Sequence, residues 1–358
     1  MFAAKLSFLK LLLRAAGGED GGVIAGIRAA AMLASKTPFV KLLLRAVFTI
    51  APAYALGGVG VVADAATLAS VFAPVADAAA LATTAEDLAY RASVEKWRAD
   101  YENDLKSDHG WLTISGLFWL HEGENRFGSD PLGDIVLPAG SAPPDAGYFE
   151  FHHGKTTVHV KAGAPITLGG KPIETAELRP DSSDRLVLGD ISLWIHASGE
   201  RYTVRLQDKN SKVRKAFTKL EWFPVDESYR VTAHFQLYGE PKQIEMQNEA
   251  GDTLHVPLAG YVTFALRGQE LRLDAQADDK TGELSFVFRD LTSGKETYGA
   301  SRFLDTDAPH HGEVVLDFNK AYNPPCAYNP YTTCPLPPPQ NRLRARIEAG
   351  EMNYKHDR

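Results

Sequence analysis

The sequence predicts a mainly β protein with two antiparallel β domains, an N-terminal amphipathic helix and a short C-terminal helix. Three observations predict this fold class. Apolar and polar residues alternate in short runs, turn-forming residues separate those runs, and no stretch alternates strands with helices as a parallel sheet requires. The alternating runs are 157–161, 192–196, 201–206, 229–237, 260–266, 270–274, 283–288 and 313–318.

The first segment is an alanine-rich leader, residues 1–90. It holds 25 alanines and 7 basic against 6 acidic residues, whereas the whole chain of 358 residues has a net charge of −7. The basic run 41–45 precedes an apolar stretch and then Ala53-Tyr54-Ala55, which is the order of an export signal and its cleavage site. Prolines and aspartates interrupt the stretch 46–82, so we predict no membrane span. Two interpretations stay open: an exported protein, periplasmic or extracellular, or a cytoplasmic protein whose leader is not a signal.

Residues 91–110 are predicted to form the amphipathic helix. Val94, Trp97, Tyr101 and Leu105 recur at spacings of three or four among charged residues, which is the periodicity of a helix with one apolar face. Gly110 is expected to supply the positive φ that often follows a helix C-terminus.

The N-terminal β domain is predicted over residues 111–210. Its segment Gly123-Glu-Asn-Arg-Phe-Gly-Ser-Asp130 resembles the start of a forkhead-associated domain, a β-sandwich that binds phosphothreonine. The resemblance implies that Arg126 and Ser129 contact a phosphopeptide, since an arginine can bind phosphate through two hydrogen bonds. The alternative is a sandwich that serves as scaffold alone.

The C-terminal β domain is predicted over residues 217–358, after a polar, turn-rich boundary at 208–217. We expect a β-barrel or a sandwich. It is predicted to end in a short basic helix that begins at an Asn341 cap after several prolines and ends at Gly350.

Composition limits the kinds of partner and cofactor. The chain has 38 basic and 45 acidic residues, so it lacks the positive charge that nucleic acid binding normally needs. Its two cysteines are too few for a four-cysteine zinc module. We therefore predict no nucleic acid partner, no cofactor and no metal.

A proline-rich loop, residues 319–342 (the Cys loop), carries both cysteines and 7 of the 21 prolines. In an exported protein, Cys326 and Cys334 are expected to form a disulfide. In a reduced protein, the two thiols with His310 and His311 offer an alternative metal site, although their spacing matches no familiar zinc motif.

Polar side chains in and before the Cys loop predict a site for a small polar or anionic ligand. Prolines restrict the loop before a ligand binds, so the ordering penalty of binding is small. The alternative is a rigid loop whose amides bond to the neighbouring backbone. The predicted ligand-binding residues are Tyr298, Arg302, Asp317, Asn319, Tyr322, Asn323, Gln340, Asn341 and Arg342. Hydrolysis at this site stays open, because Asp305, Asp307 and His310 could supply acid–base groups.

Several segments together resemble the family known as domain of unknown function 1684. They are Gly110 to Leu120, Gly123 to Asp130, Trp222 to Asp226, Thr297 to Phe303, and Asp317 through Arg342. The resemblance extends over about residues 93–354 and implies no assigned activity. The protein is therefore expected to bind a small molecule in its C-terminal domain, with a protein or phosphopeptide module in the N-terminal sandwich as the alternative.

Overall fold

The computed structural model describes residues 65–355, with side chains from residue 84 onward. The chain divides into two compact units, Met1–Ala92 and Ser93–Arg358. The predicted export signal lies outside the described residues. In the part of the chain that is described, no helix combines the length and apolar character needed to cross a membrane.

Helix α1 (Ala65–Lys106) is longer than the helix predicted over 91–110. Its first half falls in the alanine-rich leader, and alanine is the best helix former. In the second unit, Val94 and Leu105 of this helix are buried, as the apolar spacing predicted. Gly110 takes φ −71°, not the predicted positive φ. A glycine is needed there because a Cβ atom would overlap the carbonyl oxygens of Asp104 and Leu105.

The described part of the chain is mainly β, which confirms the mainly β class that the sequence predicted. A short helix, α2 (Lys212–Ala216), lies in the predicted boundary segment. The strands are β1 (Ile114–Trp119), β2 (Gly123–Gly128), β3 (Ile135–Val136), β4 (Gly147–His152), β5 (Lys155–Val160), β6 (Thr167–Leu168), β7 (Lys171–Pro172), β8 (Thr175–Leu178), β9 (Leu186–Leu188), β10 (Ile191–Ser198), β11 (Arg201–Asp208), β12 (Arg230–Gln247), β13 (Thr253–Leu266), β14 (Gln269–Ala277), β15 (Leu284–Phe288), β16 (Arg302–Thr306) and β17 (Glu313–Asp317).

The described residues form three sheets, two of which share one hydrophobic core. Sheet A has the order β1-β11-β10-β9-β6-β7, and sheet B has the order β3-β2-β4-β5-β8. Phe127 and Phe149 of sheet B pack in the same cluster as Ile195 and Val204 of sheet A. The likeness to a forkhead-associated domain and the division into two β domains stay predictions.

Sheet C has the order β16-β15-β14-β13-β12-β17, with antiparallel neighbours. The turn between β13 and β14 is a two-residue connection in which Arg267 has φ 50° and Gly268 has φ 80°, the paired positive angles of a tight hairpin. Strands β12 and β13 have 18 and 14 residues. They therefore extend well beyond β14, and the tip of this hairpin approaches sheet A.

The predicted C-terminal helix is wrong. After a 3-10 turn at Pro339–Asn341, the chain runs along sheet C, where Leu343 donates its backbone N–H to the Arg289 carbonyl at 2.7 Å. Leu343, Ile347 and their apolar neighbours are buried every second residue, with arginines and a glutamate exposed between them. That alternation has the period of an extended segment.

Candidate functional site

One face of sheet A is polar and carries the candidate site. Residues opposite each other in an antiparallel pair point to the same side, so Leu117, Trp194 and Arg205 share a face. The next pair on that face is His196 with Thr203. The other face of the same strands packs into the sandwich core.

The tip of the β12–β13 hairpin is attached to sheet A and places Glu249 beside this polar face. Ser198 Oγ and Arg201 Nε each donate to the Asp252 carboxylate at 2.6 Å. Within the tip, Asn248 Oδ1 accepts the backbone N–H of Asp252 at 2.9 Å. Two contacts to the sheet and one inside the turn therefore fix the position of the tip.

The Cys loop lies against the same hairpin tip. The backbone N–H of Glu249 donates to the Cys334 carbonyl at 3.1 Å. Cys326 and Cys334 are free thiols, so the predicted disulfide is not formed in this structure. Instead, the N–H of Cys326 donates to Cys334 Sγ at 3.3 Å, and the N–H of Cys334 donates to Cys326 Sγ at 3.2 Å. Thr332 Oγ1 donates to Cys326 Sγ at 2.9 Å.

The two thiols differ in acidity because they are hydrogen-bonded to each other. The Cys326 thiol donates to the Cys334 sulfur, which lowers the pKa of Cys334. The same hydrogen bond, together with burial, raises the pKa of Cys326. Cys334 is therefore expected to lose its proton before Cys326 does.

A cleft of about 280 Å³ opens between sheet A, the hairpin tip and the Cys loop. Trp119 forms one wall, with its side chain partly exposed, and the Arg201 guanidinium stacks 3.5 Å from the centre of its ring. The lining residues are Leu117, Trp119, Glu249, Ala250, Cys326, Asn329, Pro330 and Thr332. The cleft thus joins an aromatic wall to a carboxylate, a thiol and a hydroxyl.

Arg205 is a buried cation that lies opposite Leu117 in the strand pair; Leu117 lines the cleft, whereas Arg205 itself is not among the lining residues. It is 6% exposed, its Nε has no hydrogen-bond partner, and its Nη2 reaches Thr333 Oγ1 at 3.5 Å. Among the residues that the structure describes, no carboxylate oxygen lies within 4.0 Å of its guanidinium. Burial lowers the pKa of Arg205, and the charge of Asp181 opposes that effect.

A chain of hydrogen bonds runs from Thr333 to Asp181. His196 Nε2 lies 3.0 Å from Thr333 Oγ1, and His196 Nδ1 lies 2.6 Å from Asp181 Oδ1. The other carboxylate oxygen of Asp181 accepts the N–H of Ala197 at 3.2 Å, and Asp181 adopts φ 49°. Burial, followed by the charge of Arg205, lowers the pKa of His196, so its imidazole is neutral at pH 7. Neutral imidazole between a carboxylate and a hydroxyl is the arrangement of a general base.

None of the nine predicted ligand-binding residues is among those that line the cleft. Arg302 is fully buried and donates to Asp290 Oδ2 at 2.6 Å, to the Ile347 carbonyl at 3.1 Å and to the Ala349 carbonyl. Its protein partners satisfy both terminal nitrogens. Arg302 therefore pairs with Asp290 inside the protein, and its guanidinium does not face the cleft.

The predicted asparagines also bond within the protein. Asn319 Nδ2 donates to the Asp226 carbonyl at 2.9 Å and to Asp317 Oδ1 at 3.2 Å. Asn323 Nδ2 donates to Glu351 Oε1 at 2.8 Å. Asn341 donates to the carbonyls of Asp274 and Val287 at 2.9 and 3.0 Å and accepts the Asp274 N–H at 2.7 Å.

Of the remaining five predicted residues, Asp317 accepts hydrogen bonds from the Asn319 backbone N–H and Nδ2, both at 3.2 Å. The other four bond to different partners. Tyr322 OH donates to Asp305 Oδ2 at 2.6 Å, and Gln340 Nε2 donates to Asp274 Oδ2 at 3.0 Å. Arg342 Nε reaches the Pro337 carbonyl at 3.4 Å. Tyr298 is the member nearest the cleft, because its hydroxyl donates to Glu249 Oε1 at 2.9 Å.

The phosphopeptide residues predicted in the N-terminal domain differ in exposure. Arg126 is exposed, whereas Ser129 Oγ donates to the Ala142 carbonyl at 2.8 Å. No described contact brings the two side chains to one ligand position, and phosphopeptide binding stays a prediction.

Fold and site together define a mainly β protein with a thiol-lined cleft at the junction of two sheets. Residues 215–352 match the family model described as protein of unknown function DUF1684. The match is to the family that the sequence resemblance predicted, over a shorter range than the predicted residues 93–354. The matched segment includes Glu249 and both cysteines, whereas Arg205 and His196 precede it.

Comparisons with other proteins supply no activity. The solution NMR structure of an uncharacterised protein from Haloarcula marismortui is 34% identical, and the match covers 39% of this chain and 78% of that chain, with a TM-score of 0.33. No curated protein matches the chain.

Proposed function

We propose that the protein binds a small molecule with an anionic group in the cleft between sheet A and the Cys loop. The observation that carries this proposal is the buried Arg205 with its unpartnered Nε. A buried guanidinium is costly unless it is paired, and its planar fork suits a carboxylate or phosphate. An anionic ligand would satisfy Arg205.

The cleft is suited to a metabolite-sized ligand. Its volume of about 280 Å³ is just below the usual range for small-molecule sites, roughly 300–1,000 Å³, so the ligand is expected to be small. The Trp119 wall offers apolar contact, while Thr332 and Asn329 add polar groups. The proposed ligand is of the class that the sequence predicted, whereas the proposed binding residues differ from the predicted ones.

We expect small carboxylates or phosphates to raise the unfolding temperature of the full chain, and Arg205→Gln to weaken their binding about tenfold to a hundredfold. Isothermal titration with each compound that raises the unfolding temperature measures the affinity. Arg179→Gln is the matched control, because Arg179 is exposed and paired with Asp184 on the surface.

A second variant leaves the buried cation in place. Ala250 is exposed at the rim of the cleft, so Ala250→Trp should block entry without disturbing the core. Unchanged affinity in both Arg205→Gln and Ala250→Trp would place the ligand site elsewhere.

Hydrolysis of an ester is the second candidate function, favoured by the Thr333–His196–Asp181 chain. His196 would accept the proton of the Thr333 hydroxyl as that oxygen attacks the acyl carbon. The same proton would pass to the leaving alcohol, and water would then release the acyl group. Asp181 would orient His196 and stabilise its protonated form.

We expect slow hydrolysis of small activated esters by the full chain, and a loss of at least about a hundredfold in His196→Gln. Thr333→Val should abolish the same activity. His234 is the control, since its side chain is exposed beside Glu313 on sheet C, and His234→Gln should leave the rate unchanged. Equal rates in the wild type and in His196→Gln would rule out this mechanism.

A further inference from the structure

We propose that Glu249, Cys326 and Cys334 bind one divalent metal ion of the zinc class. The carboxylate oxygen and the two sulfurs lie within 4.8 Å of one another. The three residues come from two segments, the hairpin tip and the Cys loop, that are 77 residues apart in sequence. This site goes beyond the proposed ligand binding and does not depend on it.

Both sulfurs are hydrogen-bonded in the manner that suits metal-bound thiolates. Each cysteine N–H donates to the sulfur of the other cysteine, at 3.2 and 3.3 Å. Cys326 Sγ also accepts the Thr332 hydroxyl. Donors directed at sulfur stabilise its negative form, and thiolate is the form that binds metal.

Tyr298 orients the third ligand. Its hydroxyl donates to Glu249 Oε1 at 2.9 Å, and the backbone N–H of Glu249 is bonded to the Cys334 carbonyl. The carboxylate is therefore fixed from its side chain and from its main chain. Partners of this kind hold a ligating carboxylate in place and raise metal affinity. Tyr298 is a positioning residue.

The distances require only a small contraction. Zinc binds sulfur at about 2.3 Å and carboxylate oxygen at about 2.0–2.2 Å in a tetrahedron, which places neighbouring ligand atoms about 3.5–3.8 Å apart. Cys326 lines the cleft, so the fourth position would face the cleft and hold water. Three protein ligands and one open position are typical of catalytic rather than structural zinc sites.

The proposal accounts for features that sequence spacing left unexplained. Cysteines eight residues apart match no familiar zinc motif, and His310 and His311 contact each other outside this cluster. The missing ligand is Glu249, which only the long hairpin brings to the thiols.

The test measures metal content and metal spectra of the full chain, with no other ligand present. We expect about one zinc ion per chain by mass spectrometry after dialysis, and a sulfur-to-metal charge-transfer band when cobalt replaces zinc. Cys326→Ser and Cys334→Ser should each weaken that band, because one thiolate ligand remains, and the double variant should lack it. Glu249→Gln should weaken zinc binding at least about a hundredfold, and Tyr298→Phe about tenfold.

Glu245→Gln is the matched control, because Glu245 is exposed on the same hairpin and its substitution should leave zinc binding unchanged. Circular dichroism verifies the fold of every variant. A Cys326–Cys334 disulfide in the native protein would overturn the proposal. Two free thiols without zinc or cobalt binding would also overturn it, and neither result would affect the ligand test with Arg205→Gln.

Discussion

Replacing Arg302 with methionine is expected to lower the free energy of unfolding by about 3–5 kcal/mol. Arg302 and Asp290 are paired at 2.6 Å, and both side chains are fully buried. Loss of the guanidinium leaves the Asp290 carboxylate uncompensated in the core. It also leaves the carbonyls of Ile347 and Ala349 without this donor. Urea unfolding followed by circular dichroism at pH 7 measures the change.

Two further variants separate the buried charge from the loss of side-chain volume. Arg302→Met combined with Asp290→Asn should be less destabilised than Arg302→Met alone, because no unpaired charge remains. Arg342→Met removes an exposed arginine and should change stability by less than about 0.5 kcal/mol. Similar losses in Arg302→Met and Arg342→Met would contradict a structural role for the Arg302–Asp290 pair.

The β architecture could be predicted from the sequence because burial on one side of a strand leaves a period of two. The C-terminal segment shows the limit of that prediction. Leu343 and Ile347 alternate with charged residues just as strand residues do, yet the asparagine cap and the glycine favoured a helix. The segment is held by backbone bonds to Arg289 and Leu291. Such pairing between distant segments cannot be predicted from local capping signals.

The candidate site could be predicted only in part. The prolines and cysteines of the Cys loop predicted that the loop contributes to the site, and Cys326 does line the cleft. Arg205, His196 and Glu249 carry no local signal, because register in sheet A and the length of one hairpin bring them to the loop.

The asparagines of the Cys loop show why polar density is a weak guide to ligand binding. An irregular, proline-rich chain leaves backbone groups without regular partners, and buried backbone groups must be hydrogen-bonded. Asn319 and Asn341 are buried and donate to carbonyls of neighbouring segments. Amides presented by such a loop therefore stabilise the fold.

Glu351 makes stability depend on pH. It is 1% exposed and accepts hydrogen bonds from the Asn323 N–H at 2.8 Å and from the Tyr328 hydroxyl at 2.7 Å. Burial raises the pKa of Glu351 to about 7, although these donors and the charge of Arg302 act in the opposite direction. The desolvation cost of the buried carboxylate therefore outweighs its hydrogen bonds.

The direction of the pH effect follows from the raised pKa. In the unfolded chain, Glu351 loses its proton near pH 4.5, whereas in the folded protein it keeps the proton until about pH 7. Between these values the folded state binds more protons, so the free energy of unfolding falls as pH rises. The stabilisation is complete below pH 4.5, and about 3 kcal/mol of it is lost by pH 7.

Glu351→Gln removes this titration and tests it. We expect the free energy of unfolding of the wild type, minus that of Glu351→Gln, to fall by about 2.5 kcal/mol between pH 5 and pH 8. The difference isolates Glu351, because the other titrating groups are common to both proteins. Glu348→Gln is the control, since Glu348 is exposed beside Arg346 and its difference should stay nearly constant. A constant difference for Glu351→Gln would mean that the carboxylate is ionised throughout, because its hydrogen bonds then outweigh the cost of burial.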